Sequence, residues 1–490
     1  MTTPSFTSIL PPVIALVLAL TTRNVILSLA LGAFGGFVIL ADYNPLLGLF
    51  ATLREGAEQL LFDSSHTLLI VLILIIGGFV GLLEQSGGMK SFASRIATWV
   101  KGPVRAQLAV WFGGIGIFFS DSATPLILGP IFQPVMARVG ISREKLAYIV
   151  DSTASPVCVL VPFISWGVYI MSLIDQGYKF LEIEGNGFST FIRLMPLQFY
   201  PVLALLTVPL VIFSKREFGP MAKAIVVDEE IPTTDDGINP RLRTITIPLL
   251  VLLGSVAALF CFFWLAYGSI SGRQLNVSLI IAYLIATTTA AVVLRQERVL
   301  EVKASLRAIV QGVRKMLLIP LILILAWSLG ACCQALGTGT YLAQITRRFL
   351  TPRLLAPTLF LVGSAISFGM GSAWGTFAIL LPMSMRIAHT MGISLLPPIA
   401  AVLSGGLFGD HASPISDTTI LASMGSGCDH LSHVRTQLPY ALMPAVISTI
   451  AFYVAGIWQS PWVLALAAFA LSVTIYLAMR LLGRSSAATP

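Results

Sequence analysis

Residues 409–423 read GDHASPISDTTILAS. Two aspartates, a histidine, a proline and several hydroxyls stand together in a chain that is otherwise mostly apolar. Of 490 residues, 56% are hydrophobic and 11% charged, and the mean hydropathy is +0.89. A soluble globule carries about 25% charged residues, so this chain cannot cover a water-facing surface. Runs such as HTLLIVLILIIGGFVGLLE (66–84) and KMLLIPLILILAWSLGACC (315–333) are long enough to cross roughly 30 Å of hydrocarbon. Such runs recur from end to end, as in a polytopic membrane protein. The polar stretch 409–423 therefore falls where a membrane span should be. An isolated charge there costs at least about 2.5–3.5 kcal/mol, and persists when it faces a cavity, a partner or an ion.

Outward from that stretch, spans are expected near 8–22, 24–41, 66–84, 143–168, 189–213, 244–267, 276–294, 316–334, 397–424, 437–457 and 461–480. Two further apolar stretches, 104–137 and 355–390, are interrupted by polar, Gly-rich residues and read as re-entrant hairpins. The expected fold is an all-α polytopic membrane protein with about eleven transmembrane helices and two hairpins. The opening PSFTSILPPVIALVLALTTRN lacks a basic n-region and an A-x-A-like site, and reads as a span rather than a cleaved signal. Basic segments at 214–244, 295–315 and 480–486 fall on one side of this layout, read as cytoplasmic; the loops at 42–65 and 169–188 fall outside. TRRFLTPR (346–353) is the exception. The N-terminus is then outside and the C-terminus inside. The net charge of +8 belongs to such loops, so nucleic acid is not an expected partner. Cys158, Cys261, Cys332, Cys333 and Cys428 form no CxxC and read as small apolar residues.

The chain repeats itself. SDSATPLILGPIFQPVMARVGIS (120–142) aligns without a gap on SAWGTFAILLPMSMRIAHTMGIS (372–394): Ser120 meets Ser372, Thr124 meets Thr376, Pro130 meets Pro382, and Gly-Ile-Ser meets Gly-Ile-Ser. DSTASP (151–156) has its counterpart in DHASP (410–414). The ordered series argues for duplication: a first repeat over 1–213, a linker over 214–243, a second repeat over 244–457, and an extra helix and tail over 458–490. Each repeat crosses about five times, an odd number, so the second lies inverted. Inverted repeats with discontinuous helices mark secondary transporters, with sites at the broken helices.

Two broken helices, near 143–168 and 397–424, carry aspartate, hydroxyl and proline together. Proline frees an upstream carbonyl, and Gly405, Gly406 and Gly409 permit unwinding. Carbonyls, hydroxyls and one carboxylate are hard oxygen ligands that suit a small alkali cation. Asp410, Ser413, Ser416, Asp417 and Thr418 form one expected half of an ion site, and Asp151, Ser152, Thr153 and Ser155 the other. The hairpin tips, with Ser120, Asp121, Thr124, Ser372 and Thr376, face them. Asp121 has Ala373 as its counterpart, so the halves are not equivalent. His411 is a candidate proton-linked group. Asp151, Asp410 and Asp417 are the expected Na⁺ carboxylates. Burial disfavours a charged carboxylate; such a group holds Na⁺ or H⁺ but not both, which suffices for antiport. The plain alternatives stand beside this reading. The aspartates cap helices, and the hydroxyls bond the backbone one turn earlier. Glu84 reads as interfacial, CDHLSH (428–433) as a span end, and Arg138 and Arg386 as helix ends. An arginine reaching a cavity favours an anionic substrate. No HExxH motif or nucleophile–base pair points to an enzyme, and no cofactor is implied beyond Na⁺ as transported or coupling ion.

GLFGDHASPISDTTILASMGSGCDHLSHVRTQLPYAL (406–442) closely resembles the NhaC-type sodium/proton antiporter family, and SDSATPL and DSTASPVCVLVPF resemble its first-half motifs. The resemblance implies Na⁺/H⁺ exchange or, within the same family, Na⁺- or H⁺-coupled transport of an organic acid such as malate or lactate, or of an amino acid. It also implies a homodimer in a bacterial inner membrane, with a scaffold and a transport domain that moves like an elevator.

Overall fold

The computed structural model describes all residues except 1–5, 23, 62–63, 98–99, 101, 225–241, 268–271, 339–340, 342–350 and 486–490. Most of the expected linker at 214–243, and part of TRRFLTPR, therefore lie outside the described residues. The described chain is built of helices: α1 (Leu10–Thr22), α2 (Val25–Leu40), α3 (Pro45–Leu61), α4 (Ser64–Gln85), α5 (Gly88–Ala97), α6 (Pro103–Gly116), α7 (Ala123–Arg138), α8 (Arg143–Ser152), α9 (Ser155–Cys158), α10 (Ser165–Leu181), α11 (Gly187–Leu194) and α12 (Phe199–Ser214). After the linker come α13 (Arg243–Tyr267), α14 (Gly272–Gln296), α15 (Val302–Met316), α16 (Leu318–Ala335), α17 (Pro352–Met370), α18 (Ala373–Thr390), α19 (Leu396–Ala412), α20 (Asp417–Ser426), α21 (His430–Ala455) and α22 (Trp462–Leu481).

Among the described residues, 7 helices are long and apolar enough to cross a membrane, and an eighth span forms if α11 and α12, bent by 46°, are taken together. The all-helical, multi-span expectation holds. Both interrupted stretches are helix–turn–helix pairs. The first is α6 and α7, the second α17 and α18; each pair packs together and opens on a proline in its first turn, where the missing N–H costs nothing. The turn of the second rests on Gly371, at φ +67, a backbone region open to glycine.

Three stretches read as loops are helices. The apolar residues of α3 (45–61) and α15 (302–316) recur at helical spacing between charges, a pattern that the span count passes over. The third difference matters more. The stretch 169–188 was expected outside; instead α10 runs from Ser165 to Leu181, and its side chains are buried almost throughout. The first broken span thus comprises α8, an irregular stretch holding short α9, and α10. Its second part is rich in Ser, Tyr, Asp and Gln because it lies against protein rather than lipid.

Gly405 and Gly409 do not unwind the chain. They lie within intact α19, where a Cβ would meet the backbone of α17 at Phe360 (2.3 Å) and Ser364 (2.4 Å). Their role is close approach. A second such crossing joins the halves of the chain: a Cβ on Gly129 of α7 would lie 2.4 Å from the backbone of Gly425 in α20, and one on Gly425 would lie 2.3 Å from the Pro125 carbonyl. The start of the linker is pinned as well. Glu217 accepts from Lys145 Nζ (2.9 Å) and Tyr440 Oη (2.8 Å), and Arg216 pairs with Ser485 in a two-residue antiparallel bridge. Glu84 meets Lys315 Nζ at 2.6 Å, tying α4 to α15.

Overpacking a tight contact costs typically about 1–3 kcal/mol. Gly425→Val should therefore lower the melting temperature of the detergent-solubilised protein clearly. Gly254→Val, at a position with nothing within 4 Å of a Cβ, should leave it nearly unchanged.

Candidate functional site

Both breaks are held open by hydrogen bonds that the sequence supplies locally. At the first, Thr153 Oγ1 donates to the carbonyls of Ile149 (2.9 Å) and Val150 (3.1 Å), closing the end of α8. Pro156 then starts α9. At the second, Ser413 Oγ donates to the Phe368 carbonyl (2.7 Å) and accepts from Ile415 N (3.3 Å). Pro414 offers no donor. Each break leans on the hairpin of its own half: Ser413 on α17, and Cys158 Sγ, 3.2 Å from the Phe118 carbonyl, on the first hairpin tip.

The two breaks meet. Asp151 is buried, and its Oδ2 accepts from Gln437 Nε2 (2.7 Å) and Thr419 Oγ1 (3.2 Å). The same amide donates to the His411 carbonyl at 2.6 Å. One side chain of α21 thus joins the first broken span to the second. The His411 ring stands between Tyr200 Oη (2.8 Å from Nδ1) and Ser152 Oγ (3.2 Å from Nε2). Buried Asp410 accepts from Ser416 Oγ (3.1 Å), which lies 3.0 Å from Thr418 Oγ1. Asp417 is exposed and accepts the Thr418 amide (2.9 Å). It stands at the mouth of the cluster rather than inside.

Among the described residues, the charged groups acting on Asp410 are Asp417, Asp151 and Asp121. Asp121 and Asp151 likewise interact with Asp417. None of these partners is basic. No group of three or more His, Cys, Asp or Glu side chains converges to hold a metal ion among the described residues. A cation there would therefore rest on one carboxylate with neutral hydroxyl and carbonyl oxygens.

The hairpin tips are brought together by the start of α10. Trp166 Nε1 donates to Asp121 Oδ2 (3.1 Å), while its ring lies 4.5 Å from that of Trp374. Tyr169 Oη donates to the Trp374 carbonyl (2.7 Å). Asp121 Oδ1 accepts the amide (2.8 Å) and hydroxyl (3.2 Å) of Ser122. The other tip hydroxyls are engaged locally. Ser120 and Ser372 accept the amides of Ala123 and Gly375 in the first helical turn, and Thr124 and Thr376 donate to the carbonyls of Ser120 and Ser372. Ser155 Oγ and Ser367 Oγ, both buried, have no partner within the protein; Ser367 packs where a Cβ on Gly409 would stand. Among the described residues the hydroxyls of Ser404, Ser426 and Tyr148 are likewise buried without a partner. Arg386 lines a pocket with Phe180, Ala326, Cys333, Thr338 and Met383, its Nη2 donating to the Phe180 carbonyl (3.3 Å), whereas Arg138 is exposed.

Sequence reading passed over Trp166, Tyr169, Trp374, Tyr200, Ser367, Thr419 and Gln437. Thr419 and Gln437 left a signal, a polar side chain within a span. The aromatic residues left none, because tryptophan and tyrosine are ordinary in membrane helices.

A family model described as the Na⁺/H⁺ antiporter family matches residues 1–156 and 157–457. An uncharacterized protein of Haemophilus influenzae is 30% identical over 92% of this chain and 91% of its own. The malate-2H⁺/Na⁺-lactate antiporter of Bacillus subtilis is 35% identical over 30% of this chain and 32% of its own. The solved structure of the Alcanivorax borkumensis YdaH transporter, 17% identical, covers 86% of this chain and 90% of its own with a TM-score of 0.62, a likeness of fold.

Gln437→Leu leaves the Asp151 carboxylate and the His411 carbonyl each short of a donor. An unsatisfied buried group costs about 1–3 kcal/mol. The variant should melt well below the parent in detergent, while Gln437→Glu should fare worse still by setting carboxylate against carboxylate.

Proposed function

The chain belongs to the Na⁺/H⁺ antiporter family, and from that premise we propose that it exchanges Na⁺ for H⁺ by competition at Asp151 and Asp410. The observation that carries the reading is that Asp151 and Asp410 are buried at the two breaks with only neutral hydrogen-bond partners, Gln437 and Thr419 for the first and Ser416 for the second. Like charges gathered away from water are stable only when cations or protons join them. Ser416 and Thr418 supply neutral oxygens beside Asp410. Loading with Na⁺ or with H⁺ gives the same net charge, so either loaded form can reorient, whereas the empty site carries charge it cannot bring through hydrocarbon. That difference makes the exchange obligatory. In this reading the halves are inverted repeats, and the site alternates between the two sides by an elevator-like movement of a transport domain against a scaffold in a homodimer. The chain sits in the bacterial inner membrane with its N-terminus outside. Na⁺ is cargo, and the reading assigns the protein no cofactor and no enzymatic step.

A second reading rests on Arg386. A guanidinium in an otherwise apolar pocket, beside Thr338, suits a carboxylate, and the partial match to the malate and lactate antiporter lends that reading support. In it, the same carboxylates bind the coupling ion while an organic anion travels with it.

Purified proteoliposomes carrying an internal pH dye separate the two. An imposed Na⁺ gradient alone should drive proton flux, and Asp151→Asn and Asp410→Asn should each remove most of it, since an amide neither releases a proton nor balances the charge of the cation. Ligand carboxylates must be deprotonated to bind, so the apparent Na⁺ affinity should weaken as pH falls. A pH-independent Na⁺ affinity would count against competition. Silence with Na⁺ alone, followed by flux once malate or lactate is added and loss of that flux in Arg386→Gln, would establish the second reading.

A further inference from the structure

A chain of hydrogen-bonding groups runs beside the carboxylates without belonging to them. His430 Nε2 lies 2.6 Å from the Pro414 carbonyl, and its Nδ1 lies 3.0 Å from Ser423 Oγ. Ser423 Oγ lies 2.8 Å from His433 Nδ1, and His433 Nε2 lies 2.8 Å from Gln437 Oε1. Both ends are acceptors. Pro414 contributes a carbonyl. The Gln437 amide is oriented by its other end, where Nε2 faces the Asp151 carboxylate and the His411 carbonyl. A flipped amide would set oxygen against the His411 carbonyl oxygen at 2.6 Å.

The protons can be counted. Each of the four contacts needs one. A neutral imidazole carries one N–H and a serine one O–H, so two neutral rings and Ser423 supply three. Ser423 Oγ also lies 2.8 Å from the Thr419 carbonyl, which competes for the same hydroxyl proton and deepens the shortage. One further proton on either ring completes the chain. Without it, two acceptors face each other across one contact.

We propose that His430 and His433, bridged by Ser423, form a proton-binding site distinct from the transport carboxylates, in which one added proton is shared between the two rings. His433 is fully buried and His430 half-buried, so the proton enters at His430. The groups that face the pair are few. From α19 comes His411, from α20 Ser423 and the Thr419 carbonyl, from α8 Asp151 across Gln437, and from the start of α21 itself Asp429, the N-cap next to His430. Asp151 and Asp429 are the anions among them, Asp151 buried and Asp429 exposed. When the proton leaves, the contact that opens is the outer one, between His430 and Pro414, and the start of α21 comes off the second break. The occupied site therefore holds that break closed.

The chain has five histidines, so histidine labelling with ¹⁵N gives a short list of ring signals. Purified full-length protein in detergent is followed across the neutral pH range. His430→Gln and His433→Gln assign the two rings by removing one set of signals each. The expected result is that both rings move together through a single midpoint with a net gain of one proton. Ser423→Ala, which keeps the helix and removes only the bridge, should split that midpoint in two. Rings that stay neutral throughout, or that titrate independently in the parent protein, overturn the site. If a histidine variant does not fold, the comparison of parent with Ser423→Ala decides alone, since coupled titration is then either present and lost, or never present. Ring titration is read without Na⁺ or a gradient, so this test stands apart from the antiport reading.

Discussion

Hydrocarbon offers no hydrogen bonds, so a helix that stops within a membrane has to hand its loose backbone groups to other parts of the protein. That constraint organises this molecule. Each broken span stops beside a hairpin from its own half, and a side chain just past the stop donates to a hairpin carbonyl: Cys158 to Phe118, Ser413 to Phe368. The tips of the hairpins are in turn held by α10. The polar residues at the breaks first make an interrupted helix tolerable. The carboxylates are left over after that task, and a hydroxyl that donates to a carbonyl still keeps oxygen lone pairs for an ion.

This order of claims explains what the sequence disclosed. The aspartates were legible because a carboxylate in an apolar run has no ordinary reason to be there. The hairpins were legible through the polar, Gly-rich interruptions of two apolar stretches, and their expected bounds fall within a few residues of α6–α7 and α17–α18. The tip hydroxyls proved less informative. Ser120, Thr124, Ser372 and Thr376 have the right residue types, yet each satisfies the backbone of its own turn. Residue type does not tell how a hydroxyl is already engaged; geometry does.

α10 was missed for a related reason. Hydropathy reports how much a segment likes lipid, and this helix touches little of it. A segment enclosed by protein on all sides can afford Ser, Asp and Gln, and then resembles an external loop. The glycines of α19 were misread in the same way. Glycine signals either a bend or a close neighbour, and only the position of α17 distinguishes the two.

The clamp at the start of α10 bears on leakage. Trp166 and Tyr169 touch the tips of both hairpins within one turn of helix. A water-filled gap between the tips would have to break a hydrogen bond on each side and part the Trp166 and Trp374 rings together. The seam between the two tips is thereby closed by contacts that must be lost together.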